Sequence, residues 1–121
     1  MSINNLLSVL EDNDKFKSIV KRINSSKDFD MSLFTPAKDF FLAAFLREQK
    51  KPSVIITESS SSAYDLYDRM SYYLHDCFNI LNFPDSDDLY YENFSKNKDI
   101  EIDRIKCLAS MEAYHRDKSI P

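Results

Sequence analysis

The 121-residue chain contains no glycine, where average usage gives roughly eight in a chain this long. Every turn that needs a positive φ must therefore use Asn, Asp or Ser. Cysteine is scarce as well. Cys77 and Cys107 stand alone, with no partner motif around either. That fits neither a disulfide framework nor a zinc site, and it leaves buried free thiols as the expectation. Long apolar runs are missing: the most apolar stretch, "FFLAAFL", falls far short of the about 20 residues that cross a bilayer. The opening "MSINNLLSVLEDND" has no basic segment ahead of its apolar residues, so no signal peptide and a cytoplasmic location are expected. Clustered cations are also absent. The net charge is -4 with Lys and Arg scattered, which argues against binding a phosphate backbone, since such binding draws its affinity from grouped positive charge.

What is present is apolar surface. The chain is 43% hydrophobic, 13% aromatic and 30% charged, enough to offset chain entropy and fold around one modest core. Ile3, Leu6, Leu7 and Leu10 recur at helical spacing, and Phe16, Ile19, Val20 and Ile23 repeat it after "EDND". Two short amphipathic helices follow, the second capped by Asn13 or Asp14, so that residues 1–25 read as a helical lead. From residue 26 to 121 the pattern changes. Phe29, Met31 and Leu33 alternate in "DFDMSLF", a weak strand signal. "PAKDFFLAAFLREQ" is apolar around most of its circumference through Phe40, Phe41, Ala44 and Phe45 and reads as a buried helix. "PSVIIT" is a β-branched run expected of a strand covered on both faces. "SSAYDLYDRMSYYL" sets Ala63, Leu66, Tyr67, Met70, Tyr73 and Leu74 on one helical stripe behind a serine N-cap. "FNILNFP" reads as a third strand ended by Pro84. "DIEIDRIKCLASMEAYHR" carries Ile102, Ile105, Leu108 and Ala109 at helical spacing. Strands alternating with helices imply a parallel sheet, because parallel neighbours need a crossover. The expected fold class is therefore α/β: a three-layer α-β-α arrangement with a short parallel sheet, preceded by two N-terminal helices. The chain ends at "KSIP", where another strand is due, and so reads as a fragment of a larger domain.

One stretch raises a chemical question. "SLFTPAKD" has the spacing of a phosphate loop, with Ser32 and Ala37 where glycines belong, Lys38 on the lysine position and Asp39 on the hydroxyl position. A working loop cradles phosphate in backbone N–H groups, which requires glycine, and a hydroxyl then holds magnesium. Asp39 instead places negative charge where phosphate oxygens meet. A plainer role fits the same letters: Thr35 as N-cap, Pro36 at the first helical position and Asp39 near the helix dipole. No nucleotide cofactor is expected, and Lys38 is expected to face solvent.

At "LNFPDSDDLYYENFSKNKDIEIDRIKCL" the chain resembles the N-terminal module of bacterial transcription-repair coupling factors (Mfd). That family's pattern runs as a strand, F-P-x-x-[ED]-x-L-x-Y-[ED], a serine-containing loop and an acidic helix start with [DE]-R. Phe83, Pro84, Asp87, Leu89, Tyr91, Glu92, Ser95, Ile100, Asp103 and Arg104 match in that order. The upstream helices are similar too, so the resemblance covers nearly the whole chain. It implies a degenerate helicase-like, UvrB-like α/β domain and makes "SLFTPAKD" the vestige of a phosphate loop. It further implies a non-catalytic structural and protein-interaction role in transcription-coupled DNA repair. The expected partners are the rest of the coupling factor and, through the larger module, UvrA; RNA polymerase and DNA would be engaged by domains beyond Pro121, and no membrane is involved. An alternative is a small α/β NTP-binding enzyme domain with an unorthodox loop. An unfinished sheet edge would invite pairing with a second copy, so a homodimer through that edge is a further expectation.

Other residues carry weaker chemistry. Asp85, Asp87, Asp88 and Glu92 could hold magnesium after a strand end, although solvated loop charges explain them as well. His75 and His115 read as helix-end residues, and "SSSS" from Ser59 to Ser62 as a loop and cap. Tyr72 with Tyr73, and Tyr90 with Tyr91, could stack on bases but fit amphipathic core edges better. No catalytic residue and no metal ligand set is expected.

Overall fold

The structure is a computed structural model and describes residues 3–85 and 98–117. Five helices make up its regular structure: α1 (Ile3–Glu11), α2 (Asp14–Ser25), α3 (Thr35–Gln49), α4 (Ser60–Leu74) and α5 (Lys98–Arg116). There is no strand among the described residues. The three-layer α-β-α fold with a parallel sheet is thereby overturned, and with it the sheet edge through which a homodimer was expected.

The helices form where periodicity and capping put them. Asn13 caps α2, its side-chain oxygen accepting from the N–H of Lys15 at 2.9 Å and of Phe16 at 3.4 Å, while Asp14 lies in the first turn. Ser59 caps α4 by accepting from the Ser62 N–H at 3.2 Å. The start of α3 differs from expectation. Phe34 occupies the cap position and supplies no side-chain acceptor, so Thr35 is already helical and does not cap. At the other end of α3, Lys50 takes the left-handed conformation, φ 49° and ψ 37°, and its N–H reaches the Leu46 carbonyl at 3.1 Å. Lysine thus fills the one positive-φ position among the described residues, a place where Asn, Asp or Ser was anticipated.

Helix α3 is central, packed by α1 on one side and α4 on another, with α2 against α1. The core gathers Leu7 of α1, Phe16 and Val20 of α2, Ala43, Ala44 and Leu46 of α3, and Met70 and Leu74 of α4. It therefore runs through the helical lead and the remainder alike. Small residues at 43 and 44 let neighbouring helices approach α3 closely. Around them the larger rings of Phe40, Phe41 and Phe45 pack half-buried, Phe41 lying edge-on to Phe16 with centroids 5.4 Å apart. Arg47 meets Glu11 at 3.2 Å across α3 and α1, a charge contact in which that Glu11 oxygen makes no hydrogen bond.

The segments read as strands fail for a common reason. A strand completes its hydrogen bonds only against a neighbour, and β-propensity expresses packing in a sheet more than any intrinsic backbone preference. The apolar faces of α1, α3 and α4 satisfy one another directly, so no sheet is needed to bury them. Residues 53–57 consequently lie outside any ladder, and Val54 and Ile56 are 75% and 90% exposed. A run expected to be covered on both faces is bare.

Candidate functional site

The stretch "SLFTPAKD", residues 32–39, lies where the chain enters α3. Ser32, Ala37 and Lys38 are exposed, and Lys38 makes no ion pair among the described residues. Asp39, just beyond the first helical turn, is held by Arg69 of α4, whose Nε lies 2.6 Å from its Oδ2. The carboxylate at the hydroxyl position of the loop pattern is thus engaged in joining α3 to α4, and Lys38 is not part of that contact. Of the first N–H groups of α3, that of Ala37 is bound to the Phe34 carbonyl at 2.9 Å. The arrangement is that of a stapled helix start.

A groove of about 270 Å³ opens elsewhere, between α2 and the end of α3, lined by Phe16, Lys17, Val20, Lys21, Asn24 and Glu48. None of residues 32–39 borders it. Among the described residues no group of three or more His, Cys, Asp or Glu is placed to hold a metal. Of the acidic loop cluster, Asp85 is described and exposed; Asp87, Asp88 and Glu92 lie outside the described residues.

The residues that carry the coupling-factor pattern are partly brought together. Arg104 of α5 donates from Nη1 to the Pro84 carbonyl at 2.7 Å, and its guanidinium lies 4.2 Å from the centre of the Phe83 ring. One turn on, the Cys107 thiol donates to the Asn82 carbonyl at 3.2 Å. These contacts clasp residues 82–84 to the inner face of α5. Burial pushes the Cys107 thiol above its ordinary pKa, and the nearby Asp103 carboxylate adds to the shift. Asp103 itself is exposed and 3.7 Å from Lys106. Leu89, Tyr91, Glu92 and Ser95 lie outside the described residues, as does Tyr90. Cys77, expected to be buried, is exposed, and both thiols are free.

Helix α5 reverses the sequence reading of its faces. Ile102, Ile105 and Leu108 were expected to point inward; all three are exposed, Ile105 by 64%. Their side of the helix is apolar and open, because the inner side is taken by Arg104 and Cys107 in the clasp. His75 directly follows α4, with its ring nitrogens 3.2 Å from the Tyr72 carbonyl and 2.9 Å from Asp76, and His115 lies in the last turn of α5. Both are helix-end residues. Tyr73 packs on the core beside Phe40, with ring centroids 6.4 Å apart, while Tyr72 is exposed.

Sequence reasoning missed Arg69 as the partner of Asp39, Arg47 as the partner of Glu11, and the outward apolar side of α5. The first two are contacts between separate helices and have no local signal. The third could have been suspected, since Arg104 and Cys107 are spaced to share a face that excludes Ile105. No helix among the described residues is long and apolar enough to cross a membrane. No protein-family model, no curated protein and no solved structure matches the chain.

Proposed function

We propose that the chain is a non-catalytic protein-interaction module, the leading piece of the UvrB-like region of a cytoplasmic transcription-repair coupling factor, and that it helps to present the surface that recruits UvrA. The observation that carries an interaction role is the amount of exposed apolar side chain on two separate elements: Val54 and Ile56 before α4, and Ile102, Ile105 and Leu108 along α5. Large apolar surface of this kind marks contact with another protein. The coupling-factor assignment rests on the resemblance at residues 83–104, and it draws support from the clasp in which Phe83, Pro84 and Arg104 act together.

The alternative, an NTP-binding enzyme domain, is disfavoured by the Asp39–Arg69 pair, which engages the very position where a phosphate loop needs a hydroxyl for magnesium. The test has two arms. A thermal melt with added Mg-ATP should show no shift, whereas a ligand at 100 times its dissociation constant stabilises by about 2.7 kcal/mol. Purified UvrA should be captured by a coupling factor that carries this segment, and capture should weaken when Ile105 and Leu108 are both changed to Ser. An ATP-dependent rise in melting temperature would sink the non-catalytic reading; unaltered UvrA capture would remove α5 from the recruiting surface.

A further inference from the structure

Residues 53–57 combine three properties. Their backbone has no hydrogen-bond partner in another segment among the described residues, their side chains are β-branched apart from Ser53, and Val54 and Ile56 project outward while Ile55 is the least exposed of the three. Such a segment is a template for strand pairing. Its flanks are charged with opposite signs: Lys50 and Lys51 precede it and Glu58 follows it, all exposed.

We propose that two copies of the chain associate through residues 53–57, which pair antiparallel about a two-fold axis at Ile55. The symmetry fixes the register. In an antiparallel pair the directly opposed side chains lie on one face, so a two-fold axis normal to the ribbon requires opposed residues of equal parity. Ile55 then faces its own copy, Val54 faces Ile56 of the other chain, and Ser53 faces Thr57. Opposed β-branched side chains are a favourable cross-strand pair. Pro52 has no N–H to give and marks the end of the ladder. The lysines that lead into each run come beside the Glu58 that leaves the other. A parallel pairing would set lysines against lysines and Glu58 against Glu58, so the charge pattern selects the antiparallel arrangement. Ile55, 43% exposed, lies on the axis, where each copy covers the other's side chain. The inference does not depend on the proposed role in repair, because it concerns self-association of the isolated chain.

Sedimentation equilibrium tests it. The native chain should show a concentration-dependent dimer. Ile56→Lys, at a position that is already solvent-facing, should raise the dimer dissociation constant about tenfold with the helical circular dichroism unchanged. Glu58→Lys alone and the Lys50→Glu/Lys51→Glu double variant should each be monomeric, and an equal mixture of the two should form a heterodimer. The proposal is overturned if the native chain stays monomeric at every accessible concentration, if the mixture fails to associate, or if the dimer survives Ile56→Lys and is lost with Ile105→Lys, which would place the contact on α5.

Discussion

Replacing Lys50 by glycine should make the protein more stable. Lys50 closes α3 in the left-handed region, where the Cβ of an L-residue crowds the following carbonyl at a cost of about 1–2 kcal/mol. Glycine relieves that crowding and is the residue usually found at such helix ends. Against this stands the greater freedom of glycine in the unfolded chain, about 0.5–1 kcal/mol. The cap N–H to the Leu46 carbonyl is a backbone contact and survives the change. The net expectation is a gain of about 0.5–1 kcal/mol, which corresponds to a rise in Tm of roughly 2–6 °C for a chain of this size. Lys50→Ala supplies the control: alanine keeps the Cβ and the strain, so stability should move by less than about 0.5 kcal/mol. Calorimetry together with urea denaturation measures both variants. A glycine variant no more stable than the native protein, or an alanine variant that matches the glycine gain, would refute the strain argument.

Other perturbations separate core from surface. Leu74→Ala should cost about 2–5 kcal/mol, because Leu74 is almost wholly enclosed by the core and its loss leaves a cavity; Ile105→Ala should change the unfolding free energy from urea denaturation by less than about 0.5 kcal/mol, since its side chain is mostly in water. Asn13→Ala removes the acceptor for two N–H groups at the start of α2 and should cost about 1 kcal/mol, readable by thermal melt. Lys38→Ala should be neutral within about 0.5 kcal/mol, and a larger loss would tie the lysine to a ligand or a buried acid. Iodoacetamide should label Cys77 well before Cys107, followed by mass spectrometry. The thiolate is the reactive form, and the raised pKa of Cys107 keeps it protonated as the pH climbs past 9.0, the ordinary value for a thiol. The same shift makes the native state bind its proton more tightly than the unfolded chain. The contribution of Cys107 to stability is therefore fully present below that ordinary value and is lost as the pH rises through the raised one; a Cys107→Ser variant should lack this alkaline decline.

Helix positions were legible because their signals are local. Phe16 and Val20, or Met70 and Leu74, lie one turn apart on the same face, and Asn13 and Ser59 satisfy N–H groups two or three residues away. The absence of glycine from residues 32–39 was legible too, since it is visible in any context. Other features were not. "PSVIIT" has the composition of a covered strand, yet composition cannot supply the neighbour that a ladder requires, and Val54 and Ile56 remain in water. In α5 the spacing of Ile102, Ile105 and Leu108 defines an apolar side without saying which way it turns. Arg104 and Cys107 decided that by binding the carbonyls of Pro84 and Asn82 from the other side.

By itself the sequence determined where five helices begin and end to within a residue or so, and which residues cap two of them. Both follow from interactions within a few residues of chain. Only the tertiary structure decided that the β-branched runs go unpaired, that Asp39 is held by Arg69, that a lysine takes the left-handed end of α3, and that α5 turns its isoleucines outward. Each of these depends on what a distant segment offers, whether a hydrogen-bond partner, an opposite charge or a place in the core.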